Sequence, residues 1–189
     1  ERRTNNMKKY FLIIQPDNFK NPEKVERIII FDEDKCLKFD CEMTRISYMY
    51  VKKIMCENAI FITYNGELLK NMLWQFFGFC EYKNIIDLME NFAVIYGKYK
   101  DWETEEGSLY IWQKLETALN YYKNRGYKIP DCKVNIYEPL EVINRTIILY
   151  DCMKDWEEKQ LQKEIRKRKA RGLVFAPFFL YNEEMKTRR

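Results

Sequence analysis

The stretch AIFITYNGELL, residues 59–69, joins a continuously apolar run to the beginning of a helix. A short apolar run without alternation is typical of a strand that is covered on both faces, as in a parallel sheet. Asn65 and Gly66 suit the tight turn that follows such a strand. The helical segment 67–79 then carries Gly78 near its end. A buried parallel strand that leads directly into a helix predicts an α/β fold.

Three short β-type segments precede this stretch, and we expect them to form an antiparallel meander. They are KKYFLII (8–14), VERIIIFD (25–32) and CLKFDCEM (36–43). The residues between the second and third segments predict a tight turn. Segment 44–58 has apolar residues at helical spacing, with Thr44 as a candidate N-cap.

Four segments follow the central strand and helix. Segment 84–99 begins as an extended stretch and becomes helical, with Asp87 as a candidate N-cap. Residues 100–108 are acidic and predict a loop. Segment 109–126 predicts a helix that a glycine closes. Segment 138–172 predicts one long helix with a proline in its first turn.

Composition bounds the possible functions of this chain of 189 residues, of which 47% are hydrophobic. The chain has no histidine, so Ser-His, Cys-His and His-metal chemistry is excluded. Its six cysteines show no Cys-x2-Cys spacing and predict reduced thiols of a cytoplasmic protein. No apolar run is long enough for a membrane span, and the polar beginning, residues 1–7, is expected to be an extension without a secretory signal. The net charge of +4 permits nucleic-acid binding without indicating it.

Five stretches between about residue 9 and residue 153 occur in an order that is typical of one enzyme family. They are NPEKVERIIIFDEDKCLKFD, IFITYNGELLKNML, NIIDLMENFAVIYGKY, LYIWQKLETALNYYKN and YEPLEVINRTIILYDCM. They resemble the motifs of the 3′–5′ exonuclease family of the DEDD type, whose proofreading members accompany DNA polymerases. The resemblance implies a ribonuclease H-like mixed sheet, with an antiparallel three-strand meander, parallel strands and flanking helices. It implies one such domain over residues 8–155, followed by a charged helix and an apolar tail over residues 156–189.

Members of this family hydrolyse nucleic acid with two Mg²⁺ ions held by four carboxylates, assisted by a His or Tyr. Mg²⁺ requires charged oxygen ligands, which an aliphatic side chain cannot replace. The resemblance assigns the four carboxylates and the base of the family to Ile14, Pro16, Leu69, Val142 and Tyr137 of this chain. None of these residues is a carboxylate or a histidine. The resemblance therefore implies a catalytically inactive domain without a metal cofactor, which binds nucleic acid or a protein.

An alternative hypothesis is an active exonuclease, dependent on Mg²⁺ or Mn²⁺, with relocated carboxylates. Its candidate ligands are Asp32, Asp34, Glu67 and Glu141. Against it, the two hairpin strands would not fit well between Asp32 and Asn65, and residues 32–35 suit a solvated turn. Glu141 adjoins Val142, and neighbouring side chains on a helix differ by about 100° in direction.

Nucleic-acid binding is one function that an inactive domain could retain. Asn65 is a candidate contact in the groove, and the basic end of the long helix offers phosphate contacts. The basic candidates are Lys163, Arg166, Lys167, Arg168, Lys169 and Arg171. A solvated helix end, whose cations complement the helix dipole, explains the same charges without a ligand.

Protein binding is the other possible function, and the stretch LVFAPFFLY, residues 173–181, is its best feature. The stretch is too short to span a membrane. Its candidate contacts are Phe175, Phe178 and Phe179. It either packs back on the domain or docks into a partner. A purely structural role in a larger assembly is an alternative that fits the same stretch.

Overall fold

The computed structural model describes most of the chain. The described ranges are 7–19, 21–42, 44–55, 59–78, 84–97, 99–104, 107–110 and 113–170. The chain divides into two compact units, Glu1–Cys152 and Met153–Arg189. No helix in these ranges has the length and apolar character that a membrane crossing requires.

A five-stranded mixed sheet forms the centre of the first unit. Its strands are β1 (Lys8–Pro16), β2 (Val25–Asp32), β3 (Leu37–Glu42), β4 (Ala59–Thr63) and β5 (Ile85–Asp87), in the order β3-β2-β1-β4-β5. The first three strands pair antiparallel, whereas β4 is parallel to β1 and β5 is parallel to β4. The predicted α/β fold, with a meander extended by parallel strands, is confirmed.

Five helices and one separate hairpin complete the described structure. The helices are α1 (Arg45–Met55), α2 (Gly66–Phe77), α3 (Leu88–Tyr96), α4 (Leu115–Lys123) and α5 (Pro139–Ala170), and the hairpin strands are β6 (Tyr99–Thr104) and β7 (Gly107–Tyr110). Thr44 caps α1 as predicted, because the Ser47 N–H donates to Thr44 Oγ1 at 3.1 Å. The predicted proline lies at the first position of α5.

The core lies on both faces of the sheet, because β1 and β4 are buried along most of their length. Alternate residues of β1, including Leu12 and Ile14, form one cluster with residues of α1 and α2. On the opposite face, Phe11 packs edge-to-face on Tyr150 of α5, with ring centroids 5.4 Å apart. Helices therefore cover both faces, as the unbroken apolar run 59–62 predicted.

Two sequence predictions in the segment 100–126 are wrong. An acidic loop was predicted over residues 100–108, but residues 100–104 belong to β6 and residues 107–108 to β7. The helix predicted over residues 109–126 begins only at Leu115 and ends at Lys123. Aromatic and β-branched residues before Leu115 favour strand pairing, and cross-strand hydrogen bonding satisfies the backbone in spite of the acidic side chains.

Replacement of Ile62 by alanine tests the buried position of β4. Ile62 is completely buried, so we expect Ile62→Ala to lower the free energy of unfolding by about 2–5 kcal/mol. The neighbouring Ile60→Ala is the matched control, because the Ile60 side chain is only partly buried and should cost clearly less. Urea unfolding followed by circular dichroism measures both. Equal losses for the two variants would contradict the orientation of β4.

Candidate functional site

A cavity of about 660 Å³ opens at the carboxyl ends of β1 and β4. Its walls come from the ends of these strands, the beginning of α2, residues 113–116, residues 134–136 and the beginning of α5. Ligands of open α/β sheets commonly bind beyond the carboxyl ends of parallel strands. The size of the cavity also lies in the range of known ligand sites. This cavity is therefore the candidate functional site.

Three positions at which the resemblance expects a metal-binding carboxylate line this cavity together. They are Ile14 of β1, Leu69 of α2 and Val142 of α5. Pro16 ends β1 beside them, and the Gln15 side chain joins this strand end to Tyr137 by donating to its carbonyl oxygen at 3.2 Å. Ile14, Leu69 and Val142 are far apart in the sequence but line the same cavity, and all three side chains are apolar.

The Asp87 carboxylate organises the backbone behind the cavity. Its oxygens accept hydrogen bonds from the N–H groups of Asn65 (3.1 Å), Gly66 (2.7 Å) and Met89 (2.8 Å). Asp87 therefore caps α3, as predicted, and also holds the beginning of α2. A negative charge next to two helix N-termini is favourable because it opposes the positive ends of their dipoles.

Asn65 and Gly66 have structural tasks that explain the Asn-Gly pair. Asn65 is left-handed, with φ of 76°, and its Oδ1 accepts from the Leu68 N–H at 3.1 Å to cap α2. Asparagine tolerates this conformation better than most residues. A Cβ atom on Gly66 would lie 2.9 Å from the Cβ of Asp87, so glycine permits the close approach of the two chains. Asn65 also lines the cavity, where its amide remains available to a ligand.

Tyr64 is the ionisable residue that directly precedes this turn, and its phenol is neutral near neutral pH. Its hydroxyl donates to the carbonyl oxygen of Gln113 at 2.5 Å. Burial raises the pKa of Tyr64 far above its usual value, and the charge of Asp87 adds to this effect. Tyr64 is therefore a hydrogen-bond donor that ties β4 to segment 113–116, and it cannot serve as a base near neutral pH.

Asp32 and Asp34, two of the alternative metal ligands, lie away from the cavity. Asp32 pairs with Tyr10 near the beginning of β1, whereas Ile14 lies near its end. At a strand rise of about 3.3 Å per residue, the positions of Tyr10 and Ile14 on β1 are roughly 13 Å apart. Lys38 Nζ binds Asp32 at 2.7 Å and lowers the pKa of its carboxyl, and the following residues, including Asp34, form a turn.

The other two alternative ligands, Glu67 and Glu141, do not line the cavity either. Glu67 is exposed in the first turn of α2. Glu141 Oε2 accepts from the Asn135 N–H at 3.4 Å, and its Oε1 lies 4.0 Å from Arg145 Nε. Within the described ranges, no group of three or more His, Cys, Asp or Glu residues could hold a metal ion.

Sequence reasoning missed one wall of the cavity, which irregular chain near Val134 forms together with the beginning of α4. Glu116, in the first turn of α4, lines it and accepts from the Val134 N–H at 2.9 Å, which ties the irregular segment to the helix. Phe19 also lines it and packs edge-to-face on Tyr137, with centroids 5.9 Å apart. Residues 127–137 have no periodicity, so no sequence signal places them here.

The predicted binding residues of the second unit lie on α5 or beyond it. Lys163, Arg166, Lys167 and Arg168 are exposed, and Arg168 pairs with Glu164 at 3.1 Å. The other predicted contacts lie outside the residues whose side chains the structure describes. These are Lys169, Arg171, Phe175, Phe178 and Phe179.

Replacement of Gly66 by alanine tests the contact between Asp87 and the beginning of α2. The added methyl group would overlap Asp87, so we expect Gly66→Ala to lower the free energy of unfolding by about 1–3 kcal/mol. The adjacent Glu67→Ala is the control and should change it by less than about 0.5 kcal/mol, because Glu67 is exposed. Chemical denaturation measures both. A neutral or stabilising Gly66→Ala would show that the two chains do not approach closely.

Comparison with known proteins adds nothing to the resemblance described above. No family model matches the chain, and no curated protein or solved structure matches it either.

Proposed function

We propose that this chain is a non-catalytic binding domain with a ribonuclease H-like, exonuclease-like fold. In this proposal the cavity at the carboxyl ends of β1 and β4 holds an apolar group of a partner molecule. One observation carries the proposal: Ile14, Leu69 and Val142 line the same cavity. These are positions at which an active member of the family would place carboxylates.

The chemistry of the lining supports binding rather than hydrolysis. Two-metal hydrolysis requires several charged oxygens that converge on the scissile phosphate. Glu116 is the one carboxylate among the described lining residues, and its Oε1 accepts a hydrogen bond from the Val134 N–H. An apolar cavity with a few polar groups suits the binding of an apolar group.

The sheet supports the proposed fold type, because it combines an antiparallel meander with parallel strands, as the resemblance implies. The described cysteines, Cys36, Cys41, Cys132 and Cys152, are free thiols. Free thiols fit the reducing environment of the cytoplasm, which we propose as the location of the protein.

A nuclease assay tests the absence of catalysis. The full chain is incubated with a 3′-labelled single-stranded oligonucleotide and Mg²⁺ or Mn²⁺, and the products are separated on a gel. We expect no metal-dependent shortening above the level of a blank preparation, because the metal ligands are missing. An active proofreading-type exonuclease serves as the positive control.

Metal-dependent shortening would have to be traced to this chain before it counts against the proposal. Asp32→Ala and Glu141→Ala each remove one of the four carboxylates that the active alternative needs as metal ligands. Activity that disappears in either variant would overturn the proposal and establish relocated ligands. Activity that survives in both variants and stays with the chain through further purification would also overturn the proposal, whereas activity that is separated from the chain belongs to a contaminant.

Nucleic-acid binding by the end of α5 is a second candidate function. Lys163, Arg166 and Lys167 are spaced at i, i+3 and i+4, so their exposed side chains share one helix face. Cations on one face can contact successive phosphates and release counterions. This candidate is separate from the cavity, since none of these residues lines it.

Charge reversal tests this second candidate. We expect the double variant Lys163→Glu/Lys167→Glu to weaken binding of a fluorescent single-stranded oligonucleotide and to flatten its dependence on salt, because two phosphate contacts are lost. The control is Lys52→Glu/Lys53→Glu, which changes the net charge of the chain by the same amount at the exposed end of α1. Fluorescence anisotropy at several salt concentrations measures both. An equal loss in both double variants would mean that net charge alone controls binding.

A further inference from the structure

One wall of the cavity is a short stretch of chain between two buried residues. Cys132 is only 5% exposed, and Pro139, at the first position of α5, is buried. The chain between them is exposed or partly buried, and we call residues 133–137 the wall segment. Val134 and Ile136 of this segment line the cavity. Ile136 is nevertheless 53% exposed, so little other chain covers this wall from the outside.

The backbone of the wall segment is not part of a helix or a strand. Among the described residues, its one backbone–backbone hydrogen bond is local, from the Glu138 N–H to the carbonyl oxygen of Asn135 at 3.0 Å. The N–H groups of Lys133 and Tyr137 also bond locally, to the side chains of Asp131 and Asn135. Segments with few hydrogen bonds to the rest of the fold are those that open while the rest stays folded.

Three side chains from neighbouring parts of the fold hold the wall segment against the cavity. Glu116 of α4 accepts from the Val134 N–H at 2.9 Å. Gln15 of β1 donates from Nε2 to the carbonyl oxygen of Tyr137 at 3.2 Å. The Phe19 ring packs edge-to-face on the Tyr137 ring, with centroids 5.9 Å apart. These contacts fix the segment near both of its ends.

We infer that the wall segment is a flap that opens to admit the ligand of the cavity. The structure shows its closed form, which Glu116 and Gln15 stabilise. On opening, these two hydrogen bonds break, and the segment moves outward between the buried positions Cys132 and Pro139. The inference rests on the proposed function, because it takes the cavity as the binding site, and it concerns access to that site.

The other walls of the cavity are held more firmly than the wall segment. β1 and β4 each pair with a strand on both sides, and Leu69 belongs to the buried core. The loop after β1 is closed by Asp17, whose Oδ1 accepts from three backbone N–H groups. A single hydrogen bond shifts an equilibrium by about tenfold, so breaking the bonds to Glu116 and Gln15 permits an open population on the order of one in a hundred. The wall segment is therefore where the cavity opens at the lowest cost.

Labelling of buried thiols tests the inference with two native cysteines and one introduced thiol. Cys132 adjoins the wall segment and is 5% exposed, whereas Cys152 lies within α5 and is 7% exposed. Thr63→Cys places a thiol in the cavity, because Thr63 lines it and is 2% exposed. The full chain with Thr63→Cys is treated with iodoacetamide for increasing times and digested, and mass spectrometry gives the rate at each thiol. Each rate is divided by that of the same thiol in urea.

We expect Cys132 and the introduced thiol to react at least about tenfold faster than Cys152, because local opening exposes them and not α5. Glu116→Ala should speed both by about a further tenfold and leave Cys152 unchanged, since the acceptor of the Val134 N–H is lost. Glu116→Gln keeps a carbonyl oxygen there and should have a clearly smaller effect. Glu90→Ala, exposed in the first turn of α3, is the matched control and should change no rate. Circular dichroism checks the fold of each variant.

Four results would overturn the inference. Equal rates at Cys132 and Cys152 would mean that the wall segment opens only with the surrounding fold. A fast reaction of the introduced thiol that Glu116→Ala does not change would mean that the cavity is already open. Acceleration of Cys132 alone would separate the motion of the segment from access to the cavity. Rates that Glu116→Ala leaves unchanged at both thiols would show that this contact does not hold the flap. None of these results bears on the absence of catalysis, which the nuclease assay reads separately.

Discussion

The carboxylate of Asp87 accepts three backbone hydrogen bonds, and the carboxyl edge of the sheet depends on this interaction. Two of the donors begin α2 and the third begins α3, so one buried charge positions two helices that follow neighbouring parallel strands. The bond to Gly66 brings the chains so close that a side chain on this residue would overlap Asp87. The left-handed turn at Asn65 follows from the same constraint, because the chain must reverse directly after β4.

Hydrogen bonds to main-chain N–H groups therefore hold the walls of the cavity in place. The side chains that line the cavity determine which groups it can bind. The hydrogen bonds at Asp87, Asn65 and Glu116 involve main-chain N–H groups and do not use Leu69 or Val142. Metal-binding carboxylates would repel one another in this place without their cations. Aliphatic side chains at the same positions join the core instead, as Ile14 and Leu69 do.

Prediction from the sequence succeeds where local patterns and tertiary packing agree. The bounds of β2 and the capping role of Asp87 are predicted correctly, because apolar runs and cap residues act over a few neighbours. The segment 100–126 is mispredicted, since acidic residues suggest a loop while strand pairing across the hairpin decides the backbone. The hydrogen bond from Val134 to Glu116 joins an irregular segment to the first turn of α4, and no sequence periodicity predicts such a contact. The apolar lining at Ile14, Leu69 and Val142 was expected only through the resemblance.

Net charge is a poor guide to the partner of this chain, because charge acts locally. The Debye length at physiological ionic strength is about 8 Å, so a ligand in the cavity responds mainly to the groups around it. The charged residues that line the cavity are one lysine and one carboxylate, Lys114 and Glu116, whereas Lys163, Arg166 and Lys167 are exposed on the end of α5. The total of +4 therefore describes neither the cavity nor the end of α5. Any phosphate binding at the end of α5 would depend on its exposed cations, whereas the cavity would select a ligand mainly by its apolar surface and shape.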